Sequence, residues 1–388
     1  MRHDPHPLSE ELLSWFDCHQ RDLPWRRTRD GYRVWLSEVM LQQTRVETVI
    51  PYYERFLARF PTVADLAGAP LDEVLALWSG LGYYRRARHL HAAAVRMAAA
   101  GGPPCTVEGW LELPGVGAYT AAAVASIAAG VVVPVLDGNV ERVMARWLGL
   151  AEDVKRSGPR ARLLAAAAGL LDPSRPGDSN QALMEVGATL CLPRRPRCPL
   201  CPLRDACVAA AEGRPESYPP PRPQRRSEVV RLLVAVVEDG GRVLLYRRPP
   251  ESALLAGTWE LPWVELDGQA VAAGRRLAAK YGGAGEAAAR SGWRLGPEVA
   301  RVRHGITYRD FEVSVCGAKL EAGAVAEAGG GSECGWFDAE ERKALPASSL
   351  VGKVLRAAAA AEIGRLGGTK SLRRRGRPAS RSQSRPRG

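Results

Sequence analysis

The chain has 388 residues, 46% apolar and 25% charged, with 54 Lys and Arg against 42 Asp and Glu, a formal charge of +12. That length and composition exclude a wholly disordered chain and allow two or three domains, each with its own core. Lys+Arg minus Asp+Glu is +2 over residues 1–211, +1 over 212–228, 0 over 229–364 and +9 over 365–388. The body is therefore nearly neutral, and specific arginines rather than net charge must carry any nucleic-acid binding. The polar, acidic start MRHDPHPLSEE lacks a secretory pattern, so a cytoplasmic protein is expected.

Residues 1–211 are expected to be all-helical. Apolar residues recur at helical spacing in Leu12–Trp15–Phe16, Val34–Leu41, Leu71–Trp78, Ala87–Met97 and Val140–Leu150. Glu38 lies in VWLSEVMLQQT among Trp35, Leu36, Val39, Met40 and Leu41. Desolvation there would raise its pKa and keep it protonated. Gln42 and Arg45 follow at i+4 and i+7, hence on the same helical face. Further on, SGLGYYRRARHL places Leu81, Gly82 and Tyr83 in a turn, with Arg85, Arg86 and Arg88 available for phosphates.

In LPGVGAYTA, Gly115, Val116 and Gly117 allow a tight turn whose backbone N–H groups, opening the next helix, can point at one phosphate. Residues 118–136 carry no charge, but they are mostly alanine and end in Gly130 and Pro134. A spanning helix needs about 20 strongly apolar residues, so a buried helix followed by a buried loop is expected instead. Asp137, in VPVLDGNVERVMARW, immediately precedes a helix, where capping and the helix dipole favour an ionised carboxylate. Glu38 and Asp137 thus form a pair whose pKa values would be pushed apart. Cleaving a glycosidic bond requires such a pair, one group giving a proton and the other facing a sugar cation.

Cys191, Cys198, Cys201 and Cys207 fall within 17 residues with the spacing C-x6-C-x2-C-x5-C. Four thiolates in one loop suit either a tetrahedral zinc or an iron–sulfur cluster. Arg194, Arg195 and Arg197 crowd the loop between the first two cysteines, and a phosphate would relieve their repulsion. Cys18, Cys105, Cys316 and Cys334 are expected to be ordinary buried thiols.

Residues 212–228 are rich in proline and arginine and are expected to form an extended linker. A second, α+β domain follows over 229–363. Val229–Glu238 and Arg242–Arg248 flank Asp239–Gly240–Gly241, a hairpin pattern, Phe311–Leu320 suits another strand, and 270–281 and 349–363 suit helices. The stretch 364–388 has little apolar content and is expected to be a disordered basic tail.

These motifs carry a resemblance. The cysteine spacing resembles the cluster loop of the endonuclease III superfamily of DNA glycosylases, and LPGVG resembles its helix–hairpin–helix. The segments LPWRRTRDGYRVWLSEVMLQQTRVETVIPYYERF and VPVLDGNVERVMARW resemble the adenine DNA glycosylase (MutY-type) branch, over most of residues 8–210. The fold implied is an all-α helix–hairpin–helix glycosylase domain over residues 1–211 with an iron–sulfur cluster loop, plus a C-terminal α+β Nudix-like domain.

The resemblance implies a [4Fe–4S] cofactor on the four cysteines. It also implies that Glu38 protonates adenine at N7, Asp137 stabilises the sugar cation and Asn139 supports the site. Arg21, Trp25, Arg26, Gln181 and Met184 would line the adenine pocket. Gln42, Gln43 and Thr44 form one candidate loop end to fill the duplex while a base is flipped out, and Leu81, Gly82 and Tyr83 the other; the resemblance implies Gln43, Leu81 and Tyr83 as the intervening residues. Endonuclease III-type enzymes carry a strand-cleaving lysine where this chain has Tyr119, and a tyrosine cannot form a Schiff base. A monofunctional glycosylase is therefore expected. An endonuclease III-type glycosylase/lyase and a non-catalytic metal-bearing DNA-binding protein are the alternatives.

RRPPESALLAGTWELPWVE resembles a Nudix (MutT-like) segment. Its metal-binding glutamate positions correspond to Arg276, Ala279 and Lys280, which lack the oxygen ligands a hard cation needs. In the family this domain recognises 8-oxoguanine through a Phe-Ser-His turn, matched here by Ile306–Thr307–Tyr308, with Thr307 the expected contact. The implied partner is double-stranded DNA with A:8-oxoguanine or A:G mispairs. A monomer without membrane contact, associated with a bacterial nucleoid, is expected.

Overall fold

The computed structural model describes residues 7–221, 227–252, 254–266, 273–281, 293–306, 308–320 and 333–371. The chain divides into two units between Gln224 and Arg225.

The described part of the first unit is helical. It comprises α1 (Pro7–His19), α2 (Gly31–Leu41), α3 (Val46–Arg59), α4 (Val63–Gly68), α5 (Leu71–Leu77), α6 (Tyr84–Ala99), α7 (Val107–Leu111), α8 (Ala118–Ala129), α9 (Gly138–Leu148), α10 (Ser157–Gly169), α11 (Pro176–Thr189) and α12 (Val208–Ala211). All five periodic stretches of the sequence fall on helices, though Leu71–Trp78 overruns α5 by one residue and Val140–Leu150 overruns α9 by two. Leu12 and Phe16 of α1 pack with Val140 and Met144 of α9, Leu163 of α10 and Leu183 and Val186 of α11 in one core. Elsewhere Trp35, Trp78 and Trp110 are fully buried.

The alanine-rich helix α8 is buried from Thr120 to Ile127. Its small side chains let α11 approach closely: a Cβ on Gly177 would lie 2.6 Å from the Ser126 carbonyl oxygen. The loop after α8 is buried only at its end. Val135 and Leu136 are inside, whereas Val132 is 56% exposed, which corrects the expectation of a wholly buried loop. Asn180 of α11 pins this loop. Its amide accepts from Val135 N at 3.0 Å and donates to the Val133 carbonyl at 2.9 Å and to Ser126 Oγ at 3.0 Å.

The expected linker is not extended throughout. Pro215–Ser217 form a 3-10 turn, and the carbonyl of buried Tyr218 accepts a 3.0 Å hydrogen bond from Arg146 Nε. Up to residue 221 the segment packs with the helical unit, because its aromatic ring has apolar surface to bury. Residues 222–226 of the linker lie outside the described residues.

Among the described residues the second unit holds a mixed sheet of seven strands with order β3-β2-β1-β6-β5. These are β1 (Glu228–Asp239), β2 (Arg242–Arg247), β3 (Trp259–Glu260), β4 (Trp263–Glu265), β5 (Trp293–Ile306), β6 (Arg309–Leu320) and β7 (Cys334–Phe337); β4 pairs with β1 and β7 with β2. The β1–β2 hairpin turns at Gly240 and Gly241, both with positive φ, as a tight hairpin requires. β1 runs parallel to β6.

Every residue of β1 from Leu232 to Val237 is buried. Both faces of the strand are covered. Leu233, Ala235 and Val237 meet α13 (Ala273–Tyr281), and Leu232, Val234 and Val236 share a core with Val351 and Val354 of α14 (Ser349–Ser371). The long strand β5 was not anticipated, because its charged and polar residues (WRLGPEVARVRHGI) hide the alternation. Helix α14 runs to Ser371, so the expected disordered tail begins with helix; residues 372–388 lie outside the described residues. Residues 270–272 of the expected helix also lie outside them.

Candidate active site

A cavity of about 390 Å3 in the helical unit is lined by Glu38, Tyr119, Asp137 and Asn139 together with Arg21, Trp25, Arg26, Gln181 and Met184. Gln42, Gln43 and Thr44 line it as well. Its volume falls in the range of small-molecule sites, about 300–1,000 Å3.

Glu38 is delivered by α2, which Asp30 caps by accepting from Arg33 N at 2.8 Å. The residue is only 6% exposed. The Tyr119 hydroxyl, from the first turn of α8, donates to Glu38 Oε2 at 2.7 Å. Burial pushes Glu38 up to about 7; Asp137 adds to the rise, while the Tyr119 hydrogen bond and Arg26 oppose it. The Tyr119 phenol is itself pushed well above its ordinary value by burial and by the Glu38 and Asp137 carboxyls, so it stays a donor at neutral pH.

Asp137 caps α9. Its Oδ1 accepts from Val140 N at 2.7 Å and its Oδ2 from Asn139 Nδ2 at 3.2 Å. Burial pushes its pKa up, against these hydrogen bonds and the Arg142 charge. The capping bonds at the helix N-terminus lower the pKa, as expected of that position, but desolvation outweighs them, so both Glu38 and Asp137 are pushed in the same direction. Arg142 steadies Asn139, donating from Nη2 to its Oδ1 at 3.0 Å and to the Gly187 carbonyl at 2.7 Å.

The polar end of the cavity holds a carboxylate that the sequence reading missed. Glu185, with a side chain 1% exposed, is clamped by Arg21 Nε and Arg26 Nη2, both at 2.7 Å. Burial pushes this carboxyl up, yet hydrogen bonds from Arg21 and Arg26 outweigh it and hold it at about 2. The available clue was spacing: Glu185 lies one helical turn beyond Gln181.

Helix α2 ends at Leu41, so Gln42 and Arg45 do not extend its face as expected; Arg45 is the extended residue immediately before α3. Both nonetheless line the cavity. Leu81, Gly82 and Tyr83 form a separate turn before α6 and do not line it; Tyr83 is 42% exposed. Arg85 is exposed, but the Arg86 guanidinium is directed inward to backbone carbonyls, contrary to the expected phosphate contact. Its burial among those acceptors accounts for the difference.

Gly115, Val116 and Gly117 lie between α7 and α8. Gly115 has φ +77°, and a Cβ there would lie 2.6 Å from His89 Cβ, so this turn requires glycine. Thr307 lies outside the described residues. Arg276, Ala279 and Lys280 fall on α13, where the Lys280 ammonium sits 3.4 Å from the Trp263 ring centroid.

Cys191, Cys198, Cys201 and Cys207 are free thiols lining one cavity. Arg146 supports them, donating to Cys191 Sγ at 3.3 Å and to the Leu192 carbonyl at 2.6 Å. Among the described residues no group of three His, Cys, Asp or Glu side chains is placed to hold a single metal ion. Arg194, Arg195 and Arg197 are exposed. Cys316 is buried and Cys334 half-buried, but Cys18 and Cys105 are exposed, which corrects their expected burial: each sits at a helix end or loop rather than on an apolar face. Among the described residues no helix is long and apolar enough to cross a membrane.

Residues 36–165 match the family profile of the HhH-GPD superfamily base excision DNA repair proteins, and residues 233–357 match that of the NUDIX domain. The helical unit is thus of the helix–hairpin–helix base-excision class, joined to a Nudix fold. Adenine DNA glycosylases resemble the chain over both units. The one from Arabidopsis thaliana is 42% identical over 69% of this chain and 49% of its own length. The human one is 41% identical over 65% of this chain and 56% of its own, and that of Schizosaccharomyces pombe 34% identical over 66% and 69%. The chain belongs to the adenine DNA glycosylase family. It spans about half the length of the Arabidopsis relative it matches.

Proposed function

We propose that the chain is a monofunctional base-excision glycosylase that hydrolyses the N-glycosidic bond of adenine mispaired with 8-oxoguanine or guanine in duplex DNA. One observation carries the reading: Glu38, raised to about 7 by burial, shares a cavity with Asp137 and receives a 2.7 Å hydrogen bond from Tyr119. A buried acid titrating near neutrality can hand a proton to the leaving adenine at N7, a step worth roughly 10²–10⁴-fold in rate. Asp137, steadied by Asn139, then faces the cationic deoxyribose, and water completes the hydrolysis. Tyr119 fills the place where a lysine would attack the sugar, so no Schiff base forms.

Around this centre the Arg21–Glu185–Arg26 clamp supplies the polar wall of the base pocket, with Trp25, Gln181 and Met184 as its remaining surface. The Gly115–Val116–Gly117 turn grips a phosphate through backbone N–H groups. The exposed tips at Gln43 and Tyr83 occupy the stack while the adenine is out. The Nudix unit reads 8-oxoguanine through the segment holding Thr307, and the helix carrying Arg276, Ala279 and Lys280 performs no metal-dependent hydrolysis. The protein works as a monomer on nucleoid DNA.

The donor set of Cys191, Cys198, Cys201 and Cys207 around one cavity, with Arg146 bonded to a sulfur, fits a [4Fe–4S] cluster. When bound, such a cluster supplies a covalent tie across the loop carrying Arg194, Arg195 and Arg197. The chain itself presents those arginines to the DNA backbone.

The test is incubation with duplexes containing adenine opposite 8-oxoguanine, adenine opposite thymine, and thymine glycol, analysed with and without alkali. Strand breaks only after alkali, and only with the first duplex, are expected. Breaks without alkali would favour a lyase, and none with the first duplex would overturn the reading. A brown protein with visible absorbance is expected, whereas zinc would leave it colourless.

A further inference from the structure

The turns 42–44 and 81–83 belong to different parts of the helical unit, yet one side chain touches both. Arg86, in the first turn of α6, donates from Nη1 to the Val39 carbonyl at 3.0 Å, to the Met40 carbonyl at 2.9 Å and to the Gln42 carbonyl. From Nη2 it donates to Thr44 Oγ1 at 3.1 Å and to the Leu81 and Gly82 carbonyls at 3.3 and 3.4 Å. The guanidinium also lies over the rings of Trp78 and Tyr83, 5.4 and 5.2 Å from their centroids. Trp78 Nε1 shares the Gly82 carbonyl at 3.0 Å.

Both tips are held in an unfavourable backbone conformation. Gln43 has φ +58° and Tyr83 φ +51°, the left-handed region that residues with a Cβ rarely occupy. Such conformations cost on the order of 1–3 kcal/mol each and persist only where the surroundings dictate them. Both residues are exposed at their tips, so apolar packing of their own side chains does not dictate it. The Arg86 fork, bonded to the neighbours of each, does. Burial lowers Arg86 to about 10, so it stays charged at neutral pH and its bonds remain charge-assisted.

We propose that Arg86 is a positioning residue that fixes the spacing between the Gln43 and Tyr83 tips, and so sets the efficiency with which adenine is extruded from the stack. The inference rests on the glycosylase reading above. It places Arg86 in the extrusion step and not in bond cleavage. The six acceptors lie on the end of α2, on the 42–44 turn and on the 81–83 turn, and the two Nη groups of a planar guanidinium face both sides at once while Nε stays without a partner among the described residues; a lysine ammonium has three donors at one point and cannot span them.

The experiment compares single-turnover excision by the wild-type chain and Arg86→Lys on two substrates: adenine opposite 8-oxoguanine in a full duplex, and adenine in a single-nucleotide bulge, already partly unstacked. Each rate is taken relative to wild type on the same substrate. Arg86→Lys should lose about 10- to 100-fold on the full duplex, the scale of one or two charge-assisted hydrogen bonds, and less than about 3-fold on the bulge. Thr44→Val, which removes one acceptor and keeps the shape, should show a smaller loss with the same dependence on substrate. This second variant serves if Arg86→Lys does not fold. Equal losses on both substrates, or none on either, with a working wild type, overturn the inference alone. A wild-type chain that releases adenine from neither substrate overturns the glycosylase reading and the inference with it.

Discussion

The Tyr119 hydroxyl stands 2.7 Å from Oε2 of Glu38 and lowers the pKa of a carboxyl that burial raises. In the proposed mechanism Tyr119 would therefore do more than take the place of a nucleophile: its hydrogen bond tempers the rise in the Glu38 pKa. Removing the hydroxyl in Tyr119→Phe takes away a bond that favours the carboxylate, so the Glu38 pKa must rise. On the proposed mechanism the protonated form is the active one, so the fall in excision rate at alkaline pH should move upward by about one pH unit. A pH–rate profile under single-turnover conditions checks this; an unmoved or downward-moved limb contradicts it.

Glu38 also links stability to pH. Its carboxyl titrates at 4.5 when unfolded and at about 7 when folded, so the folded state resists ionisation. The stability this group contributes is fully present below pH 4.5 and is lost as pH rises through 7. Glu38→Gln, neutral at every pH, should melt near the wild type at pH 4.5 and above it at pH 8. The gain would be several degrees, at roughly 2–4 °C per kcal/mol for a unit of this size. The same variant should bind mispaired duplex and excise about 10²–10⁴-fold more slowly. Thermal melts at both pH values, a binding assay and single-turnover excision measure all three.

Much of this arrangement is legible in the sequence because short-range rules govern it. The apolar neighbours of Glu38 and the helix that Asp137 opens depend on residues a few positions away. Glu185 depends instead on Arg21 and Arg26, about 160 residues earlier, and no local pattern announces such a clamp. Arg86 was misread for the same reason: an arginine in a basic run suggests phosphates, and only the packing of α2 against α6 turns it inward. The upward push on the Asp137 pKa is not legible, since capping is visible in sequence and depth of burial is not. Strand β5 escaped because exposed charges interrupt its alternation.

The Glu185 clamp gives a prediction of opposite sign. This carboxyl titrates at about 2 when folded against 4.5 when unfolded. Its contribution is present above pH 4.5 and is lost as pH falls through 2. Glu185→Gln should destabilise the protein at pH 7 by about 1–3 kcal/mol, a figure reduced because Arg21 is 38% exposed and partly screened. The deficit should shrink steadily as pH is lowered toward 3. Denaturant unfolding across that range tests it, and a deficit independent of pH would show that the clamp is not electrostatic.

Gly187 sets a steric limit on the support of Asp137. A Cβ built there would lie 2.6 Å from Asn139 Cβ and 3.1 Å from its backbone carbonyl carbon. Neither is the free end of a flexible side chain, so Gly187→Ala must push Asn139 away. Its amide would then leave Asp137 Oδ2, and the Gly187 carbonyl would shift from Arg142. Because the hairpin and the wedge turns lie elsewhere, duplex affinity should stay within about 3-fold of wild type, less than one good hydrogen bond's worth. Excision under single turnover should fall on the order of 10²-fold, the scale of a catalytic group displaced by about 1 Å. A loss confined to affinity, with the bound rate unchanged, would mean that Asn139 does not hold Asp137 for the reaction.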